Sequence, residues 1–184
     1  MRIIAGTAGS IPLLVPPKAT RPTSDRVREA VFSSLSPHLE GARVLDLFAG
    51  SGAMGLESLS RGAVSAAFVE MDRQACEVIT KNLAKTRLTG GEVVCREAVS
   101  FLTTGSPGPY DLVFADPPYA RDEASTALLA ACFQFTGWSR LLSNKGLLVL
   151  ETLASTLLPL TEEWRLLRHR DYGKTRIHFL ELTP

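Results

Sequence analysis

Asp116-Pro117-Pro118-Tyr119 closes the apolar run YDLVFAD (110–116) and concentrates more chemistry than any other step of the chain. Two prolines fix the local backbone and remove two N–H donors, which leaves carbonyls as acceptors. A carboxylate, a rigid carbonyl and an aromatic ring side by side suit an exocyclic amine on a flat base. Asp116 and the Pro117 carbonyl accept the two amine hydrogens, and Tyr119 stacks on the ring. The lone pair of such an amine is delocalised, so orientation and hydrogen-bond polarisation matter more than a strong base. The bland alternative is an Asp-Pro-Pro turn with a packed tyrosine.

A second constellation lies upstream. Gly50-Ser51-Gly52-Ala53-Met54-Gly55 follows the apolar run 43–48 and opens a helical stretch, matching G-x-G-x-x-G. Such a turn lets backbone approach a ligand closely at a helix N-terminus, and Glu70, 20 residues after Gly50, is spaced to accept both hydroxyls of a ribose. Asp46 sits four residues before Gly50. A carboxylate there repels a pyrophosphate and suits a cationic ammonium, which favours S-adenosylmethionine (SAM) over a nicotinamide dinucleotide. Glu97-Ala98, after the run 92–96, is placed to offer an acceptor to an adenine amine. Asp46 as a turn acid and Glu97 as a solvated acid remain open.

Alternating strands and helices must position these motifs. Apolar runs at 43–48, 65–70, 92–96, 110–116 and 145–151 read as strands, and 52–62, 72–88 and 123–135 between them as helices. That alternation predicts a mostly parallel sheet covered on both faces. Two strand-like runs, 164–172 and 175–182, flank Gly173-Lys174 and predict a closing antiparallel hairpin. Ser24 is placed to cap a helix over 25–35, and the apolar runs 2–5 and 11–15 read as a small hairpin or arm.

The chain has 184 residues, 45% hydrophobic and 21% charged, a composition that excludes disordered, collagenous and coiled-coil classes. No apolar run reaches the roughly 20 residues of a membrane span. Gly6, Gly9 and Pro12 interrupt the N-terminus, against a signal peptide, and three scattered cysteines without a CxxC pair fit a reducing cytoplasm and argue against a zinc site. The net charge of +1 hides an asymmetry: +3 over residues 1–43, −5 over 44–163 and +3 over 164–184. Arg2, Lys18, Arg21, Arg26 and Arg28 near one end, and Arg165, Arg168, Arg170, Lys174 and Arg176 at the other, would meet phosphates if the two ends flank the cleft. Structural ion pairs are the alternative for each arginine.

Five segments, RIIAG (2–6), RPTSDRVRE (21–29), LDLFAGSGAMGLE (45–57), EMD (70–72) and DPPY (116–119), together resemble the RsmD-like 16S rRNA guanine-N2 methyltransferases, a branch of the class I SAM-dependent methyltransferases. The resemblance implies a Rossmann-like α/β fold: a mostly parallel seven-stranded sheet with a terminal antiparallel hairpin, helices on both faces, an arm over 1–23 and a methyltransferase domain over 24–184. It implies that Asp46, Phe48, Gly50, Gly52, Glu70, Met71, Glu97 and Ala98 line a SAM site, with Met71 packed on the adenine, and that Asp116, Pro117, Pro118 and Tyr119 hold the guanine. Its expected partner is 16S rRNA in an assembling 30S subunit, its setting the cytoplasm, its form a monomer with no metal and no membrane. Adenine-N6 methylation of DNA and other SAM-dependent N-methylation are the rival activities; a chain this short has no room for a separate DNA-recognition domain.

Overall fold

The structure is a computed structural model that describes residues 1–17, 24–104, 107–117 and 123–183. Seven strands form one sheet: β1 (Arg43–Leu47), β2 (Ser65–Glu70), β3 (Gly91–Cys95), β4 (Tyr110–Ala115), β5 (Leu142–Leu153), β6 (Trp164–Tyr172) and β7 (Thr175–Leu182). Their order is β3-β2-β1-β4-β5-β7-β6, parallel except that β7 runs antiparallel to both β5 and β6. Both the parallel core and the terminal hairpin are as the sequence predicts. The chain winds outward from β1 to β3, then returns to β4 on the other side of β1. The crevice at that reversal, beyond the carboxyl ends of β1 and β4, is where doubly wound sheets bind ligands.

Helices α1 (Asp25–Leu35), α2 (Ala53–Ser60) and α3 (Arg73–Thr86) match the predicted periodicity with trimmed ends. The Ser24 side chain accepts from Val27 N as the predicted cap, and Asp72 caps α3 by accepting from Gln74 N and Ala75 N. Helix α4 (Ala98–Thr104) is absent from the sequence reading. It is only seven residues long, and the Glu97 carboxylate creates its start by accepting from Val99 N at 2.9 Å and Ser100 N at 2.7 Å. Helices α5 (Glu123–Gln134) and α6 (Trp138–Leu141) follow; α6 is one turn and gave no periodic signal.

Each sheet face carries its own core. On one, Val44, Phe68, Phe114 and Val149 pack with Leu56 of α2 and with Val31, Phe32 and Leu35 of α1. On the other, Leu45, Val113 and Leu148 pack with Phe101 of α4, Phe133 of α5 and Trp138.

The N-terminal runs 2–5 and 11–15 fold back on each other as a small hairpin, through the antiparallel bridge Arg2 to Pro12 and the bonds Ile3 N to Ile11 O, Ser10 N to Ile3 O and Leu13 N to Met1 O. The hairpin is tied down on the domain. The Glu57 carboxylate of α2 accepts from Ile4 N at 2.7 Å and Ala5 N at 3.1 Å, Ser60 binds Ala5 and Ala8, and Asn82 of α3 exchanges two bonds with Leu14. Ile3, Ala8 and Leu13 complete the first core. Gly6 makes this approach possible: at φ +84° an added Cβ would fall 1.8 Å from Ser60 O.

Candidate active site

The floor of the crevice is built from the ends of β1, β2 and β4. Phe48, directly after β1, takes φ +73°, a left-handed conformation that non-glycine residues seldom adopt. The Phe48 and Ala49 amides both donate to Val69 O, which pins this strained exit against β2. The glycine turn follows. Gly50 has φ +54°, and a Cβ built on it would meet nothing within 4 Å, so open space lies above it. Gly52, at φ +77°, faces Ile79 and Phe68, and a Cβ on Gly55 would fall 2.3 Å from the Phe68 ring. The first glycine therefore leaves room for a ligand, while the third lets α2 pack on β2.

Two carboxylates hold the turn. Glu70 Oε2 accepts from Gly50 N at 2.9 Å and Oε1 from Asp72 N at 2.9 Å, so one side chain links the glycine turn to the start of α3. Asp46 is buried, and its Oδ2 accepts from Gly55 N at 2.9 Å. Burial pushes the Asp46 carboxyl up to about 7, against the pull of the Gly55 N–H and with help from the Glu70 charge. Asp46 thus serves the turn, the alternative kept open above, and among the described residues no cation is paired with its carboxyl. Met71 is 70% exposed beside Glu70, and Ala98 is buried in the first turn of α4. Glu97 spends its oxygens on the α4 amides, so helix capping accounts for it without a ligand.

Asp116 follows β4. It is open to solvent. Desolvation by the surrounding protein first, then the charges of Glu151 and Asp46, raises its pKa well above the usual carboxylate range. Pro117 is buried and lines a small apolar recess with Leu47, Phe48, Ala115, Leu129 and Leu150. Pro118 and Tyr119 lie outside the described residues, as do Lys18 and Arg21.

The exposed cations divide. Arg2, Arg26, Arg168, Arg170 and Lys174 are open to solvent. The Arg168 guanidinium lies 4.4 Å from the Phe179 ring centroid. Arg2 also lies 3.9 Å from the Asp25 carboxylate, Arg165 pairs with Glu181, and Arg176 with Asp171. Arg28 corrects the sequence reading. It is fully buried, its Nη2 donating to Arg2 O and to Asp25 at 2.9 Å, so it joins the N-terminal segment to α1 and presents no surface to a phosphate. Its helical spacing from Val31 and Leu35 gave only a weak sign of this.

A family model described as Conserved hypothetical protein 95 matches residues 1–181. The Escherichia coli (strain K12) protein named Ribosomal RNA small subunit methyltransferase D is 39% identical over 178 residues, 95% of this chain and 86% of that one. The chain belongs to this family, the RsmD-like methyltransferases. The protein of the same name from Haemophilus influenzae is 34% identical over 178 residues, covering 94% of this chain and 89% of its own. A solved structure of a hypothetical protein from Thermus thermophilus superposes with a TM-score of 0.82 at 34% identity, covering 99% of both chains. Among the described residues of this RsmD-like methyltransferase, no helix is long and apolar enough to cross a membrane, and no three His, Cys, Asp or Glu side chains group as metal ligands.

The sequence reading of this RsmD-like site passed over Glu151, near the end of β5. It is buried beside Asp116; as the acid closing the run KGLLVLE it carried the same signal as Asp116.

Proposed function

We propose that this protein transfers a methyl group from SAM to the exocyclic N2 amine of one guanine in 16S rRNA, within an assembling 30S subunit. The observation that carries this reading is Asp116-Pro117 at the carboxyl end of β4, next to the glycine turn after β1, in a chain that shares most of its length with rRNA methyltransferases. The residues fit the cofactor: open space above Gly50, a buried Asp46 with no neutralising cation, and Glu70 at the ribose spacing all match a cationic nucleoside. When bound, SAM supplies an electrophilic methyl on a positive sulfur.

The chain's own residues do the rest. Asp46 in its charged form balances the ammonium, Glu70 accepts the ribose hydroxyls, and Phe48, Gly50, Gly52, Met71, Glu97 and Ala98 form the walls. Asp116 and the Pro117 carbonyl accept the two amine hydrogens and aim the nitrogen at the methyl, with Pro118 and Tyr119 completing the clamp. The nitrogen that gains the methyl would release one proton, to Asp116 or to water. The raised pKa of Asp116 favours its taking that proton. Arg2, Arg26, Arg168, Arg170 and Lys174, with Lys18 and Arg21, meet the phosphates, which makes the arm over 1–23 part of the substrate face.

Incubation with methyl-labelled SAM and 16S rRNA, immature small subunits or DNA tests the reading. Label is expected on guanine N2 in RNA or subunits. Label on DNA alone, on adenine N6, or nowhere overturns it.

A further inference from the structure

Asp116 and the Pro117 carbonyl explain how an amine is held, but not which base carries it. Adenine, cytosine and guanine all present an exocyclic amine. Beside it, guanine carries N1–H, a donor, where adenine carries an N1 lone pair. A site that takes guanine needs a second acceptor next to the first.

The sheet provides one. Ala115 of β4 is in register with Leu150 of β5, so Asp116 and Glu151 are the next residues on two adjacent parallel strands, whose backbones run about 4.8 Å apart. They share a face: Leu112 and Phe114 of β4 and Leu147 and Val149 of β5 all enter the first core, and Asp116 and Glu151 continue those two rows by one step at the carboxyl edge. Glu151 is 8% exposed, and its charge acts on Asp116. It lies on the β5 side of Asp116, away from the glycine turn and Glu70.

We infer that Glu151 is a specificity-determining residue, accepting N1–H of the target guanine while Asp116 holds the N2 amine. The inference rests on the guanine-N2 reading above. Two carboxylates at adjacent strand ends repel each other, and the Glu151 charge raises the Asp116 pKa. A base edge with donors at both N1 and N2 relieves that repulsion. An edge with an acceptor at N1 sets a lone pair against a carboxylate, and a site built around a hydrogen bond rejects an analogue lacking it far more strongly than an apolar pocket does.

The test uses 16S rRNA in which the nucleotide methylated by the wild-type protein, mapped by mass spectrometry, is replaced by 2,6-diaminopurine through splinted ligation. That base keeps the 2-amine and lacks N1–H. The wild-type kcat/KM is expected to favour guanine by at least about tenfold, in keeping with a charge-assisted hydrogen bond. In Glu151→Gln, whose amide can donate to N1, the preference should fall to about threefold or less, with SAM binding by calorimetry unchanged. Equal use of the two bases by wild type overturns the inference, whether or not the variant folds, and so does an unchanged preference in Glu151→Gln. Methyl on guanine N2 with no base preference removes this inference alone. No methyl on guanine N2 in RNA or subunits removes the functional reading as well.

Discussion

Glu70 Oε2 accepts the Gly50 N–H at 2.9 Å, so the acid that ends β2 and the glycine that opens the turn after β1 form one unit before any ligand arrives. Its other oxygen accepts from Asp72 N. Glu70→Ala is therefore expected to act twice. Ligand-free thermal stability should fall, since two amides lose a charged acceptor, at about 1.5–3 kcal/mol for such a bond. SAM affinity should drop by about tenfold or more. Thermal melts without SAM and calorimetry with it separate the two effects.

Asp46 couples cofactor binding to pH. Its folded pKa, about 7, lies above the ordinary value of 3.8. A carboxyl raised in this way stabilises the fold in full below about pH 4, and that contribution is lost as pH rises through about 7. Ligand-free Asp46→Asn should thus gain stability relative to wild type at pH 8. A cationic ligand favours the charged carboxylate, so SAM binding at pH 6 should release a proton. Calorimetry in buffers of different ionisation enthalpy measures that release, which should vanish in Asp46→Asn.

Asp116→Asn should keep SAM affinity and lose turnover by about a hundredfold or more, as removal of a charge-organising group does. Its raised pKa places the acid limb of the rate profile above the ordinary carboxylate range. Activity should rise with pH as Asp116 ionises. Glu151→Gln removes one charge that raises this pKa and should move the limb to lower pH.

Gly6→Ala should destabilise the protein by about 1–3 kcal/mol, the cost of a strained backbone plus a clash. A Cβ there meets Ser60 O at 1.8 Å, whereas at Gly9 the nearest atom is 3.3 Å away. Urea denaturation should find Gly9→Ala the milder change.

Arg28 and the pair Arg168 and Arg170 should separate stability from RNA binding. Arg28→Ala removes the buried link between Arg2 O and Asp25 and should lower the unfolding free energy. Arg168→Ala with Arg170→Ala removes exposed charge, and should lower the slope of log affinity against log salt by about 1.5 with stability intact. Fluorescence titration of 16S rRNA fragments across a salt series reads the slope.

The long apolar runs of β1, β2, β4 and β5 and the periodicity of α1 and α3 were legible because buried parallel strands and amphipathic helices impose strong patterns on sequence. Helix α4 was not: its start is set by the Glu97 cap, a local bond that the residue type alone leaves ambiguous. The site divides in the same way. Asp46, Gly50, Glu70 and Asp116 could be placed together because each lies at or just beyond the carboxyl end of β1, β2 or β4, around the reversal. Arg28 was misplaced because charge predicts exposure, and its burial depends on the Arg2 carbonyl, 26 residues away in sequence. Glu151 was passed over because its neighbour across the sheet is known only once β5 is in register with β4.

Among the described residues, the strand β6 ends the sheet and pairs with β7 alone. Its exposed face carries Arg165, Arg168 and Arg170. An edge strand offers unpaired backbone groups to any other chain, and a row of like charges blocks that pairing. The cations proposed to meet RNA, Arg168 and Arg170, with Arg165 beside them, therefore also keep one copy of the protein from extending its sheet with another. Replacing all three would leave an open, apolar-flanked edge beside Leu166 and Leu167, both partly exposed. Such a variant should self-associate in low salt, and RNA that covers this edge should hold it in solution.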